Sequence, residues 1–599
     1  MNNLTVPQKI DALRKQMQAH GLHAWLVYTA DPHLSEYLPA HWSQREYLSG
    51  FTGSAGYMAV TLEHAALWTD SRYWVQAESE LQGSGIELMK QGNAATPSLE
   101  DWIKQQLSAG QVVGVNGMAL SVSQALSLKE SFAEAELEMH VEHELLDAFW
   151  ENRPLLPVEP IYVHELEYAG LPRDEKIAQL RKAMQEASAS VHLISSLDDI
   201  AWVLNLRGSD VAYNPVFLSH LILTADEVML CVDPAKLSPD LIDDLKADGI
   251  SLYPYEEVDA LLRDLLSASE SSVLIDPVRT AWAICEPYIE QAILGLNPSQ
   301  RLKAQKNDKE IAHIRRAMEK DGAALCEFFA EFEKQLEAGK QLSELDVDEM
   351  ITAARAKQEG FVSPSFATIA GYNANGALPH YRALPESYAI LEGDGLLLID
   401  SGAQYIDGTT DITRVVPIGV TNARHQKDFT LVLKGMINLS MAVFPVDEPA
   451  PNLDAIARMP LWRAGLDFGH GTGHGVGYFL NVHEGPQSIS HYGYGRPNME
   501  MKEGMVTSNE PGLYRTGQWG VRIENLVLNQ PAFKTEFGDF LKFETLTLCP
   551  IDTRCIEISL LNKEERQWLN DYHDMVRERL SPLVMGAAKE WLITRTKAI

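Results

Sequence analysis

Near its start the chain spaces apolar residues as one helical face: PQKIDALRKQMQAH, 7–20, carries Ile10, Leu13 and Met17, and Gly21 follows as a C-cap. HAWLVYTA then reads as a buried strand. REYLSGFTGSAGYMAV and HAALWTDSRYW read as strand, glycine turn and strand, with EDWIKQQL helical beyond them. The proline-rich stretch ENRPLLPVEP, 151–160, closes this first unit. A similar pattern recurs: EKIAQLRKAMQEASAS is helical, VHLISSL is strand-like, and IAWVLNLRGSD leads into HLILTADEVMLCVD. Setting LRGS, 206–209, beside FTGS, 51–54, aligns a glycine turn, a strand, a charged turn and a second strand. Polar SQRLKAQKNDKE, 299–310, marks the next boundary. Past it lies a strong amphipathic helix, IAHIRRAMEKDGAALCEFFAEFEKQL, with Ile314, Met318, Ala324 and Phe328 among its apolar positions. Glycine-rich hairpins interspersed with helices follow. A last amphipathic helical stretch covers 563–595.

This pattern predicts two α/β domains of one design, 1–155 and 156–303, ahead of an α+β domain over 304–599. Composition fits a globular chain, at 45% hydrophobic and 22% charged residues. The net charge of −33 repels phosphate backbones, and no basic patch offsets it, so no nucleic-acid partner is expected. Five scattered cysteines, an odd count, fit no disulfide framework. No run approaches the ~20 apolar residues of a membrane span, and MNNLTVPQKIDALRKQM lacks a signal-peptide core. The expectation is a cytoplasmic protein with no membrane partner.

Unusual polar residues gather in the third region. In GLLLIDSGAQYIDGTTDITRVVPIG, 395–419, Asp400 ends an aliphatic run and Asp411 stands just before another strand. A buried carboxylate is costly without a cation or hydrogen bonds, although aspartates that merely form a turn remain the plainer reading. A tight turn at Asp407-Gly408 would set Asp411 opposite Gln404 and leave Asp400 four residues away, ~13 Å along the strand. A looser turn, or a bulge near Gly402, is therefore expected. FGHGTGHGVGYFLNVHEGP, 468–486, embeds His470, His474 and His483 among glycines; no Lys-Ser/Thr follows to make it a phosphate loop. In VTSNEPGLYRTGQWGVRIEN, 506–525, Glu510 and Glu524 are symmetric about Gly517. A hairpin centred there opposes the two carboxylates, which is destabilising unless a cation lies between them. Two surface glutamates are the alternative.

Asp400, Asp411, His474, Glu510 and Glu524 together are too oxygen-rich for structural zinc. They suit two divalent ions sharing carboxylates, manganese first and cobalt or zinc next, which points to metal-assisted hydrolysis.

At these residues the chain resembles the pita-bread metallopeptidases. YLSGFTGSAG, LWTDSRYW, WVLNLRGSD, NGALPHY, DSGAQYIDGTTDITR and HGTGHGVGYFLNVHEGP are similar, over essentially the full length, to the large three-domain cytosolic Xaa-Pro aminopeptidases. The resemblance implies two creatinase-like α/β domains before a pita-bread domain. It implies that Asp400 and Asp411 bind one metal, that Asp411 and Glu524 bridge, that His474 completes the second site, and that Glu510 is both ligand and proton shuttle. His483 and His380 would contact substrate and stabilise charge on the scissile carbonyl. His470 and Phe366 would line the pocket for proline, Arg522 would orient tyrosine or carboxylate neighbours, and Arg72 would reach the substrate from the first domain. A homodimer acting on peptides with proline at position two is implied as well. A prolidase would share all five ligands, but the two α/β domains and the nine-residue step from His474 to His483 favour the aminopeptidase. Non-catalytic binding modules of this fold lack several ligands that are present here.

Overall fold

The pattern that recurs in the first half of the chain builds one sheet twice. The computed structural model describes residues 4–599 except 142, 269, 496 and 498. Its first sheet holds β1 (Ala24–Tyr28), β2 (Tyr57–Thr61), β3 (Ala65–Thr69), β4 (Glu87–Lys90), β5 (Val112–Val115) and β6 (Glu138–His140). The second holds β7 (Val191–Ile194), β8 (Ser219–Thr224), β9 (Val228–Val232), β10 (Ile250–Tyr253), β11 (Val273–Ile275) and β12 (Ala292–Leu294). The strand orders are β4-β3-β2-β1-β5-β6 and β10-β9-β8-β7-β11-β12, so the two sheets share one topology. Directions match as well: β1–β2 and β2–β3 are antiparallel while β3–β4, β1–β5 and β5–β6 are parallel, and the second sheet repeats each choice. Strands β3, β7 and β9 are buried at every position, as strands covered on both faces must be.

The REYLS stretch departs from the expected strand. Gln44–Ser49 is a short helix ended by Gly50 at φ +74°. Its buried residues Gln44, Arg45, Leu48 and Ser49 are spaced as one helical face, so the local period is helical rather than alternating.

Two compact units result. One runs to His164 and resumes over Leu171–Ser299, containing both six-stranded sheets; the other holds Glu165–Gly170 and Gln300–Ile599. The second unit contains the expected amphipathic helix, Asp308–Glu337, whose Ile314, Met318, Ala324 and Phe328 are buried. Asn307 caps it by accepting from the Lys309 and Glu310 amides at 3.0 Å, while Glu310 returns a carboxylate to the Asn307 amide at 2.8 Å. Two three-stranded sheets, one four-stranded sheet and a hairpin, Gly512–Arg515 with Trp519–Arg522, follow. The C-terminal stretch is not one helix but two, Lys563–Leu580 and Gly586–Arg595, with Pro582 in the gap where its ring would break a continuous ladder. Both pack on their own chain: Leu569, Val576, Leu580 and Leu592 join the core of Phe429, Val432 and Met436, and Trp591 stacks on Phe329 at 5.2 Å. All five cysteines are buried and free. Among the described residues no helix is long and apolar enough to cross a membrane.

One buried ion pair fastens this unit behind its hairpins. Arg355, at the end of helix Glu344–Arg355, pairs with Asp321 of the long helix at 2.8 Å and reaches the carbonyls of Ser401 and Gly402 at 3.3 and 3.4 Å. Removing one partner strands the other charge in the interior, so Asp321→Ala should cost ~3–5 kcal/mol. The measurement is the shift of the unfolding midpoint in denaturant; a midpoint equal to that of the parent protein would contradict it.

Candidate metal centre

Two hairpins carry four of the five expected ligands, and backbone register decides where those ligands meet. The glutamate hairpin is symmetric about Gly517 as expected. Gly512 pairs with Arg522 on one side of the gap and Asn509 with Asn525 on the other, which leaves Glu510 and Glu524 facing each other in between. Neither ligand's amide closes the ladder: the Glu510 amide donates to the Thr472 carbonyl at 2.8 Å and the Glu524 amide to the Thr413 carbonyl at 3.1 Å. The strands therefore open at the ligands and are tied to the segments that bear His474 and Asp411.

The aspartate hairpin corrects the expected register. Its turn is Ile406-Asp407, Tyr405 pairs with Gly408, and Asp400 pairs with Thr413. No residue is inserted near Gly402; the ladder simply pauses there, with the Thr410 amide donating to the Ala403 carbonyl at 2.8 Å. Asp411 thus lies diagonally across from Asp400 on one face of the hairpin, close enough for the side chains to share a site. The turn moved because Asp407 is buried, its carboxylate 2.7 Å from Lys320, while Gly408 lies in the strand against the long helix, where a Cβ would come within 2.9 Å of Ala317.

At the centre, Asp411, His474 and Glu524 offer ligand atoms all within 4.8 Å of one another. His474 Nε2 lies 3.6 Å from Asp411 Oδ2 and 3.4 Å from Glu510 Oε1. Its Nδ1 is 3.0 Å from the Gly475 carbonyl, which can only accept, so the proton sits there and Nε2 keeps its lone pair toward the carboxylates. Asp400 adjoins the set and is held by Arg522 Nη2 at 2.5 Å. Thr413 donates to Glu524 at 2.8 Å and Ser508 to Glu510 at 3.2 Å.

Burial and mutual repulsion govern the charges. Burial first, then the fields of Asp400 and Glu510, push the Asp411 carboxyl well above the usual range; burial, Asp411, Glu510 and Asp400 do the same to Glu524. Burial pushes Glu510 up to about 7, with Arg522 opposing and Asp400 adding to the rise. Asp400 Oδ1 and Glu524 Oε1 are buried without a hydrogen-bond donor. Orphaned acceptors inside a knot of like charges are what a cation would satisfy, and four carboxylates with one imidazole fit two hard or borderline divalent ions.

The other expected site residues fall on both sides of the unit boundary. His483 meets His474 edge-on, ring centroids 4.3 Å apart. His470 Nε2 is 2.8 Å from the Tyr514 hydroxyl, which accepts from Arg522 Nη1 at 2.6 Å. Arg522 so orients a tyrosine and a carboxylate at once, and its Nη2 also reaches the Pro379 carbonyl at 3.2 Å, placing the chain beside His380. The segment around His380 is anchored by Glu344, a fully buried carboxylate that accepts from the Tyr381 hydroxyl, the Ala389 amide and the Tyr372 amide at 2.8, 2.7 and 2.6 Å. Phe366 is buried with its ring edge toward Gly402. Arg72 lies in the first unit, where Asp70 grips its guanidinium through two 2.7 Å bonds.

Tyr514, Thr413 and Glu344 escaped the sequence reading. Tyr514, whose hydroxyl burial pushes up to about 12, stands eight residues before Arg522 in a hairpin already singled out, and that was the available signal. Glu344 looks like any first-turn helix carboxylate until its partners, up to 45 residues away, are known.

Comparison with known proteins agrees with this architecture. Residues 9–143 and 152–310 match the creatinase/prolidase N-terminal domain, 312–530 metallopeptidase family M24, and 539–599 the C-terminal region of peptidase M24. Aminopeptidase P2 of Arabidopsis thaliana is 40% identical, the alignment covering 100% of this chain and 89% of the relative. Xaa-Pro aminopeptidase 1 of Dictyostelium discoideum is 37% identical over 98% of this chain and 94% of its own. The crystal structure of X-prolyl aminopeptidase from Caenorhabditis elegans, described as a cytosolic enzyme with a di-nuclear active site, superposes with a TM-score of 0.95 at 35% identity over 100% of both chains. Two creatinase-type domains followed by a pita-bread domain are as the motifs implied. The chain belongs to metallopeptidase family M24, among its Xaa-Pro aminopeptidases.

Proposed function

We propose that this protein removes the first residue from peptides whose second residue is proline, using two divalent cations, manganese foremost, held by Asp400, Asp411, His474, Glu510 and Glu524. The observation that carries the reading is the convergence of Asp411, His474 and Glu524 within 4.8 Å, with Glu510 against His474 and two buried carboxylate oxygens left without donors. Bound there, the cations supply a polarised water and a Lewis acid for the scissile carbonyl. Asp411, His474 and Glu524, the three that converge most closely, would hold the cations at the centre of the cluster. Glu510, its Oε1 3.4 Å from His474 Nε2 at the edge of the cluster, would take a proton from the water and pass it to the leaving proline nitrogen. His483 and His380 donate to the carbonyl oxygen as it gains charge. His470 and Phe366 bound the proline pocket, with Tyr514 behind His470. Proline suits such a site: its tertiary amide has no N–H and its φ is fixed, so a shaped apolar wall selects it better than hydrogen bonds would. A free α-amino group near Asp400 restricts cleavage to the first bond. A cytoplasmic setting belongs to the same reading, supported by the cytosolic C. elegans relative; homodimer assembly belongs to it on the strength of the family resemblance.

Three outcomes test this proposal. Arg-Pro-Pro should be turned over in preference to an Xaa-Pro dipeptide, and turnover of dipeptides alone would instead make the protein a prolidase. Asp411→Asn should abolish nearly all turnover and lower bound metal, while the chelated variant stays at least as stable as the chelated parent because repulsion is relieved. Finally, Asp411, Glu510 and Glu524 have raised carboxyls, so the chelated fold holds extra protons and loses stability as pH climbs and these groups ionise, Glu510 at about 7. Cations need those groups ionised. The gap in Tm between Mn²⁺-loaded and chelated protein should therefore widen from ~pH 5.5 to ~pH 8; a constant gap would show that these carboxylates do not hold the metal.

A further inference from the structure

Immediately after His483 the chain buries a group that neither the ligand set nor the proline pocket uses. Glu484 is fully enclosed, with Lys306 Nζ 3.0 Å from Oε1 and Lys303 Nζ 3.2 Å from Oε2; both lysine side chains are 1% exposed. Two ammonium groups thus share one carboxylate in the interior. Removing three charges from water costs several kcal/mol per ion before attraction repays it, and apolar side chains of equal volume commonly do as well or better. Stability alone is a poor reason for this triad.

Its position suggests a better one. The segment 475–484 leaves the ligand His474 and returns at His483. Gly477 closes the turn by donating to the Asn481 carbonyl at 3.0 Å, and the Glu484 amide donates to the Gly475 carbonyl at 2.8 Å. The turn is wrapped around the carboxylate itself, since a Cβ at Gly477 would lie 2.9 Å from Glu484 Oε2. Its far end is pinned where the Leu480 carbonyl accepts from Gln404 Nε2 at 2.6 Å and Thr409 Oγ1 at 3.3 Å. The near end, where His483 emerges against His474, depends on Glu484 and on lysines some 180 residues earlier, in the stretch that opens the second unit.

We infer that Glu484, clamped by Lys303 and Lys306, is the positioning residue of His483: the two ammonium groups fix where the loop returns and so where the imidazole stands relative to the ligand cluster. This rests on the reading of His483 as a contact to the reacting carbonyl. A displacement of ~1 Å at such a group costs up to ~100-fold in rate, ample reason to retain a costly anchor.

The test is a double-mutant cycle on kcat with a proline-containing tripeptide, alongside metal content. Glu484→Gln should lower kcat on the order of tenfold, with KM and two bound Mn²⁺ unchanged. In a His483→Ala background the same substitution should cost less than about twofold, because its effect runs through the missing ring. Lys306→Met should repeat the pattern, and it replaces Glu484→Gln in the cycle should that variant fail to fold. Additive losses, or loss of metal from Glu484→Gln, would overturn the inference while leaving the assignment of His483 intact. An unchanged kcat in His483→Ala would overturn both.

Discussion

Burying Asp400, Asp411, Glu510 and Glu524 beside one another works against folding at every pH where they are ionised, and the catalytic unit is organised around that fact. Burial raises the Asp411, Glu510 and Glu524 carboxyls, Glu510 to about 7. The protein contributes partial relief of its own: Arg522 to Asp400, Thr413 to Glu524 and Ser508 to Glu510. Two oxygens are nevertheless left with no donor. A site built only for stability would not be left in that condition, whereas one built for cations must be, because every oxygen given a fixed donor is lost as a ligand.

Rigid backing keeps these oxygens from relaxing apart. Asp411, Glu510 and Glu524 sit where a ladder pauses, while Asp400 and His474 are held by strand pairing to Thr413 and Ser488. Glu510 and Glu524 hang from the Thr472 and Thr413 carbonyls, and Asp400 and Asp411 flank the Ser401–Gly402 carbonyls that Arg355 holds. Arg522 goes further by linking Asp400, Tyr514 and, through it, His470 in one chain of hydrogen bonds. The expected metal ligands and the groups that would recognise proline are therefore mechanically coupled.

Where local rules governed, the chain was readable in advance. The glutamate hairpin's register followed from symmetry about Gly517, since the flanking strands are short and their alternation is clean. The repeated sheet was legible because each copy carries the same glycine turn and apolar hairpin. The aspartate hairpin was placed two positions out, because Asp-Gly is a strong turn signal in isolation and here yields to Lys320 and the long helix. Glu344, Arg355 and Glu484 resisted reading for one reason. Each is a charged residue whose meaning lies in partners 28 to 181 residues distant, and no spacing along the chain encodes that.

The short segment Glu165–Gly170 belongs with the catalytic unit although it lies between stretches of the other one. Within that unit the Tyr168 carbonyl accepts from the Tyr478 hydroxyl at 3.1 Å and the Ala169 carbonyl from Asn307 Nδ2 at 3.2 Å. The boundary is thus threaded rather than cut. During synthesis the ribosome delivers this hexapeptide well before its acceptors' donors exist, so the catalytic half cannot finish folding as a simple downstream appendage. Gene rearrangements that transplant the peptidase body from residue 300 onward would arrive missing a piece of its own wall.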